Sequence, residues 1–215
     1  MTTDTIADRD VVADVVQVDG RTRRRRRNID AVVDAVIELA RSGNLDPTSE
    51  QIAEVAGISH RSIYRYFDTR AELLEAAVVR AFESVSSAVV GESLGGASFE
   101  ERAERFVTAR IEVHEQFRSV ARVAWAHADE GPATVGLAQA RSTLRAQCDE
   151  QFASELDRFA GDERRLILSI VDAMFQFESL EYLSTHVSLD EPETRETLVR
   201  HLRSHLRIDD PPTSD

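Results

Sequence analysis

Apolar side chains at Ile29, Val32, Val33, Val36, Ile37 and Ala40 recur at intervals of three and four, which places them on one face of a helix. Gly43 and Asn44 end that pattern. The next apolar group is compact: Ile52, Ala53, Val55 and Ala56 follow Thr48, which stands three residues before Gln51 in a capping-box arrangement. Gly57 breaks this second helix, and Ser59 opens a third through "HRSIYRYF". Thr69 with Glu72 begins a fourth, which carries Leu74, Val78, Ala81 and Val85 on one face and runs to about Val90. A glycine-bearing loop over 91–97 follows, and Ser98 with Glu101 opens a fifth helix. Further helical spacing covers about 117–129, 132–159, 162–187 and 191–207. No strand-like alternation competes, so the pattern predicts an all-α protein of nine helices.

The second and third helices carry the first hint of function. Two short helices joined by a glycine-bearing turn form a helix-turn-helix. Ala53 and Ala56 let the helices approach, Gly57 accommodates the turn, and Ile58, Ile63 and Phe67 point to the core. His60, Arg61 and Tyr64 then face outward, where a recognition helix meets base edges in the major groove. Arg61 has the fork geometry for guanine, His60 can donate or accept, and Tyr64 offers its ring to a thymine methyl. Ser59, Ser62, Arg65 and Tyr66 complete the surface, the last three placed for phosphates. Thr48 offers a hydroxyl and helix-terminal N–H groups to another phosphate. Arg70 sits unfavourably in the first turn of the fourth helix, a placement that a nearby anion would explain.

Charge sharpens this picture. The chain has 215 residues and a formal net charge of −13, yet it holds five consecutive arginines, Arg23, Arg24, Arg25, Arg26 and Arg27, with Arg21 just before them. Residues 1–20 carry a net −4, residues 21–70 a net +3 and residues 71–215 a net −12. A basic block on an acidic body points to a polyanion-binding module attached to something else. The sequence predicts an acidic tail without structure over 1–20, an arginine arm and DNA-binding domain over 21–68, a second domain over 69–208, and a tail over 209–215. No apolar run is long enough to span a membrane, the acidic start is unlike a secretory signal, and Cys148 is the single cysteine. These features fit a reducing, cytoplasmic setting.

The segment "TSEQIAEVAGISHRSIYRYFDTRAELL", with the apolar helix before it, resembles the tetracycline-repressor (TetR) family of bacterial transcription regulators. The close resemblance covers about residues 25–75. It implies a homodimer on a palindromic double-stranded operator, and a helical domain that dimerises and binds a small molecule. It matches His60, Arg61 and Tyr64 to groove-facing positions and Tyr66 and Arg70 to phosphate contacts, with lysine commoner in the family where Arg70 stands. Some members carry an N-terminal arm that enters the minor groove, a role the arginine run would suit. The resemblance also implies release from DNA by ligand.

In the larger domain, apolar residues nearly encircle 162–187, and Leu198, Val199, Leu202 and Leu206 form a stripe on the last helix. These two helices are expected to pair with their copies as a four-helix bundle. Phe106, Arg110, His114, Phe117, Trp125, Phe152 and Phe175 are the candidate pocket residues, Arg110 and His114 being placed to meet an anion. His201 and His205 have the spacing of a metal pair but lack the glutamate of the zinc-protease motif, and no phosphate loop or nucleophile elbow occurs. The sequence calls for no cofactor, metal or catalytic residue. Three classes remain open: a ligand-gated repressor, a DNA-binding regulator controlled by a protein partner or by no ligand, and a helical enzyme. An enclosed cavity would favour the first.

Overall fold

The computed structural model describes residues 7–89, 97–127 and 133–206. The helices are α1 (Ala7–Arg41), α2 (Ser49–Ala56), α3 (His60–Ile63), α4 (Arg70–Val89), α5 (Phe99–Ala126), α6 (Ala133–Gln151), α7 (Ala153–Leu156), α8 (Gly161–Met174), α9 (Phe177–Tyr182) and α10 (Glu191–His205), with a π-helical turn at Leu183–Val187 after α9. Among the described residues there is no strand.

Local capping explains the starts of α2, α4, α5 and α10. Thr48 Oγ1 accepts from the Gln51 N–H at 3.3 Å, and Gln51 Oε1 accepts from the Thr48 N–H at 2.9 Å. Ser98 with Glu101 and Asp190 with Glu193 make the same reciprocal arrangement at α5 and α10. At α4 the pattern is shifted: Thr69 Oγ1 accepts from the Glu72 N–H, while the Glu72 carboxylate reaches the Asp68 N–H. Gly57 closes α2 at φ 66°, and the Ile58 N–H returns to the Ala53 carbonyl at 3.1 Å.

Several elements depart from expectation. α1 is continuous back to Ala7, through the arginine run and most of the 1–20 segment expected to lack structure. No proline precedes Pro47 and arginine is a good helix former, and the helix continues through Gly20 despite that residue's low helix propensity. The stretches expected as a fifth and a sixth helix are one, α5. The helices expected over 132–159 and 162–187 are each broken, at Phe152 (φ −114°) and Phe175 (φ −105°). Both rings are buried, and both meet the Phe106 ring edge-on at 5.0 Å. Each break turns an aromatic side chain into the interior. The tail expected over 209–215 lies outside the described residues.

Buried side chains form two clusters joined along α5. The first unites α1, α2 and α3 with α4, the C-terminal half of α5 and the start of α6, through Val32, Ile52, Ile63, Leu74, Val78 and Val120. The three-helix unit therefore shares its core with the body. α6 lies so close to α4 that a Cβ on Gly136 would stand 3.1 Å from Val78 Cγ1. The second cluster joins the N-terminal half of α5 to α8 and α10 through Phe106, Phe152, Leu156 and Val171.

The stripe on α10 belongs to that second cluster. Leu198, Val199, Leu202 and Leu206 are all buried within the single chain, against the expectation that they face a partner. The exposed apolar residues of this end are instead Leu166 and Ile170 on α8, with Tyr182 and Val187 beyond them.

Candidate nucleic-acid interface and ligand cavity

Ile63 is 3 % exposed, and Ile58 and Phe67 pack against the same cluster, so α3 is held by its inner side. α3 itself is a single turn, shorter than the helix expected to reach Phe67. Backbone bonds from Arg65 to Ser62, Tyr66 to Ile63 and Phe67 to Ile63 carry the chain on in a tighter helical path. His60, Arg61, Tyr64 and Arg65 are exposed, as inward anchoring by Ile63 requires. Arg61 makes no hydrogen bond or ion pair with any described residue.

The neighbours of this surface are organised. The Tyr64 hydroxyl lies 3.2 Å from Ser49 Oγ on α2, and its ring meets His60 edge-on at 5.1 Å. His60 Nε2 stands 3.3 Å from Glu50. Ser59 does not cap α3 through its side chain; its hydroxyl is shared with that of Ser62 at 2.7 Å. Thr48 likewise has its N–H committed to Gln51 within the capping box, which removes one of the donors expected for a phosphate.

Arg21 and Arg23 to Arg27 are exposed along α1. The arginine run is part of the continuous helix α1. Tyr66 ties it to the segment after α3: Asn28 donates to the Tyr66 hydroxyl at 2.8 Å, and the guanidinium groups of Arg25 and Arg65 lie 5.8 and 5.9 Å from its ring centre.

Arg70 has an anion of its own. It pairs with Asp46, in the loop between α1 and α2. Asp46 Oδ1 also lies 3.1 Å from Nε2 of His127, at the end of α5. The Arg70 bond, then that of His127, holds the Asp46 carboxyl below the usual carboxylate range. An intramolecular partner 24 residues away thus accounts for a placement that had suggested a phosphate.

A cavity lies where the two clusters meet, between α5, α6 and the α8–α9 turn. Its free space is about 440 Å³ counted with its open mouth. Of the expected pocket residues, Arg110, His114, Phe117, Trp125 and Phe175 line it. Phe106 and Phe152 do not; they fill the second cluster, Phe106 lying under the Arg110 guanidinium at 4.6 Å. Phe177 and Gln176 line the cavity and were not singled out. Phe177 had counted only as part of a long apolar helix, and the break at Phe175 is what turns it toward Trp125, at 4.5 Å between ring centres.

Burial controls the polar groups here. It lowers the Arg110 guanidinium to about 10 and raises the neighbouring Cys148 thiol to about 12. It also pushes the His114 imidazole below its ordinary value, with Glu181, 3.1 Å from His114 Nε2, acting in the other direction. Glu181 is held as well by Arg122.

The sequence profile of bacterial regulatory proteins of the tetR family matches residues 32–77. No curated protein matches the chain in sequence. In fold it is similar to a tetR-family transcriptional regulator from Streptomyces coelicolor, with 18 % identity and a TM-score of 0.63 over 87 % of this chain and 82 % of that one. It is also similar to the multidrug binding protein EbrR complexed with imidazole, with 21 % identity and a TM-score of 0.56 over 89 % and 98 % of the two chains. RolR in complex with resorcinol shares 19 % identity and a TM-score of 0.55 over 86 % and 89 %. The sequence match thus covers the helix-turn-helix region and the start of α4, and the likeness of fold to these proteins extends over most of the chain.

Proposed function

We propose that this chain is a repressor which binds a palindromic operator as a homodimer and leaves it when a small molecule enters the cavity beside α5. Residues 21–68 read the DNA, and residues 69–208 hold the ligand and the second subunit. Arg61, His60 and Tyr64 contact base edges. Ser59, Ser62, Arg65, Tyr66 and Thr48 position the backbone, with Arg23 to Arg27 flanking them on α1. Arg70 serves the interface through its bond to Asp46. Exposed Leu166 and Ile170, one turn apart on α8, support a twofold contact there.

One observation carries the ligand reading: the cavity and the DNA-reading helices are joined by α5. This helix lines the cavity with Arg110, His114, Phe117 and Trp125, and it ends at His127, on Asp46 beside α2. A ligand that parts the cavity walls shifts α5, and with it the seat of the reading helices and of α4. In a dimer, a small tilt of each subunit changes a separation that must match one turn of DNA, about 34–36 Å, or a multiple of it. Similar folds holding imidazole and resorcinol support a small-molecule site.

The test begins with selection of the operator from random duplex DNA, followed by a compound screen for release. The effector found is then titrated with and without operator. Release by ligand requires operator to weaken ligand binding by the same factor that ligand weakens operator binding. Equal ligand affinity in both titrations would rule out the coupling, and tighter binding with DNA present would reverse its sign.

A further inference from the structure

Arg110 is an unusual residue to find in an apolar wall. It is 4 % exposed, and a guanidinium carries five donors. One of them, Nη2, reaches the Leu144 carbonyl at 2.6 Å, and the cation lies over the Phe106 ring. No carboxylate among the described residues pairs with it. The charged groups nearby are already committed: Glu181 to Arg122 and His114, Asp172 to Arg145 and Gln176, and Arg141 to Glu178. The Cys148 thiol is held neutral by burial and supplies no counter-charge.

A second group in the same cavity lacks a partner. Gln176 Nε2 donates to Asp172 at 2.7 Å, which fixes the orientation of the amide. Its carbonyl Oε1 is buried and accepts no hydrogen bond. Buried polar groups are ordinarily satisfied, so a cation without a directly paired carboxylate and an orphaned acceptor in one cavity describe the complement they await. Four flat aromatic side chains, Phe117, Trp125, Phe175 and Phe177, stand in the lining beside aliphatic ones such as Leu137, Leu144 and Leu180.

Within the ligand-gated reading above, we infer that the effector is a single-ring aromatic acid bearing a hydroxyl group. Its carboxylate pairs with Arg110, its ring lies among the aromatic walls, and its hydroxyl donates to Gln176 Oε1. A phosphate, with more charge and more acceptors than one guanidinium can satisfy, does not match so apolar a lining.

Isothermal titration calorimetry on the full chain tests this with benzoate, the three hydroxybenzoate isomers and the corresponding carboxamides. At least one hydroxybenzoate should bind ten-fold or more tightly than its amide. Arg110→Gln should cost that acid ten-fold or more and leave the amide unchanged. Gln176→Leu should remove the advantage of the hydroxybenzoate over benzoate. Should Arg110→Gln fail to fold, the comparison of acid with amide on the unaltered chain still decides. Amides binding as well as the acids, or better, would overturn the inference and leave the cavity a site for neutral compounds. No binding by any acid would overturn it too, while the screen for operator release judges the ligand-gated reading independently.

Discussion

The two buried clusters are built differently. Among its buried members the first is aliphatic apart from Phe82 and Phe117, and it seats the short α2 and α3 on longer helices, α2 being bounded by a capping box and a left-handed glycine. The second gathers Phe106, Phe152 and Phe175 about their mutual edges, and it recruits α10 from the far end of the chain. In the first, residues close in sequence determine the geometry of a surface. In the second, Phe152 and Phe175, 46 and 69 residues after Phe106, stand at helix breaks and meet its ring. The contrast teaches where each kind of function can sit: a fixed reading surface on the locally determined part, a deformable cavity where the two meet.

The sharpest way to break the comparison is at α10. Leu202 is fully buried in the second cluster, so Leu202→Ala should cost about 2–5 kcal/mol in denaturant unfolding. Leu166→Ala on exposed α8 should leave monomer stability within about 0.5 kcal/mol while weakening self-association measured by sedimentation. A stable Leu202→Ala protein that becomes monomeric would return the interface to α10.

At the opposite end, Arg61→Ala should cost about 1–3 kcal/mol of operator binding and relax preference at one base pair in each half-site. Uniform weakening on all sequences would make Arg61 a phosphate contact instead. Arg25→Ala should be gentler on specificity and read chiefly as salt dependence: if Arg25 neutralises a phosphate, the slope of log K against log salt falls by about 1. An unchanged slope would assign Arg25 to its stacking on Tyr66 alone.

The smallest expected effect concerns the cavity and pH. Burial favours neutral His114, whose ordinary value is 6.5, so the unfolded chain binds that proton more readily than the native one. The stability contributed is present above pH 6.5 and is lost as pH falls below it. His114→Gln should therefore lose less stability between pH 7 and pH 5.5 than the unaltered chain, measured as the shift in urea midpoint. Superimposable profiles would remove His114 from the account.

These regions were not equally legible in the sequence. The turn at Gly57, the inward set of Ile58, Ile63 and Phe67, and the starts of α2, α5 and α10 follow from contacts within about ten residues, and periodicity with capping chemistry reads them directly. The destination of the Leu198–Leu206 stripe was not legible, because an apolar face looks the same whether it covers its own chain or a second copy. The breaks at Phe152 and Phe175 were hidden for a related reason: no proline or glycine marks either one. Arg70 shows the limit in miniature. Its misfit with the helix dipole was visible, but Asp46, which resolves it, lies on another loop.

The narrowness of the cavity has a consequence in time. The closed part of the cavity has room for about two waters, far less than a ring-sized molecule needs, so association waits until α5, α6 and the α8–α9 turn part. The same walls must part again before the occupant leaves. A regulator gated in this way, under the function proposed, averages over brief fluctuations in effector concentration and answers only to a sustained supply. Its genes would switch late and stay on after the stimulus fades, a hysteresis set by side-chain packing.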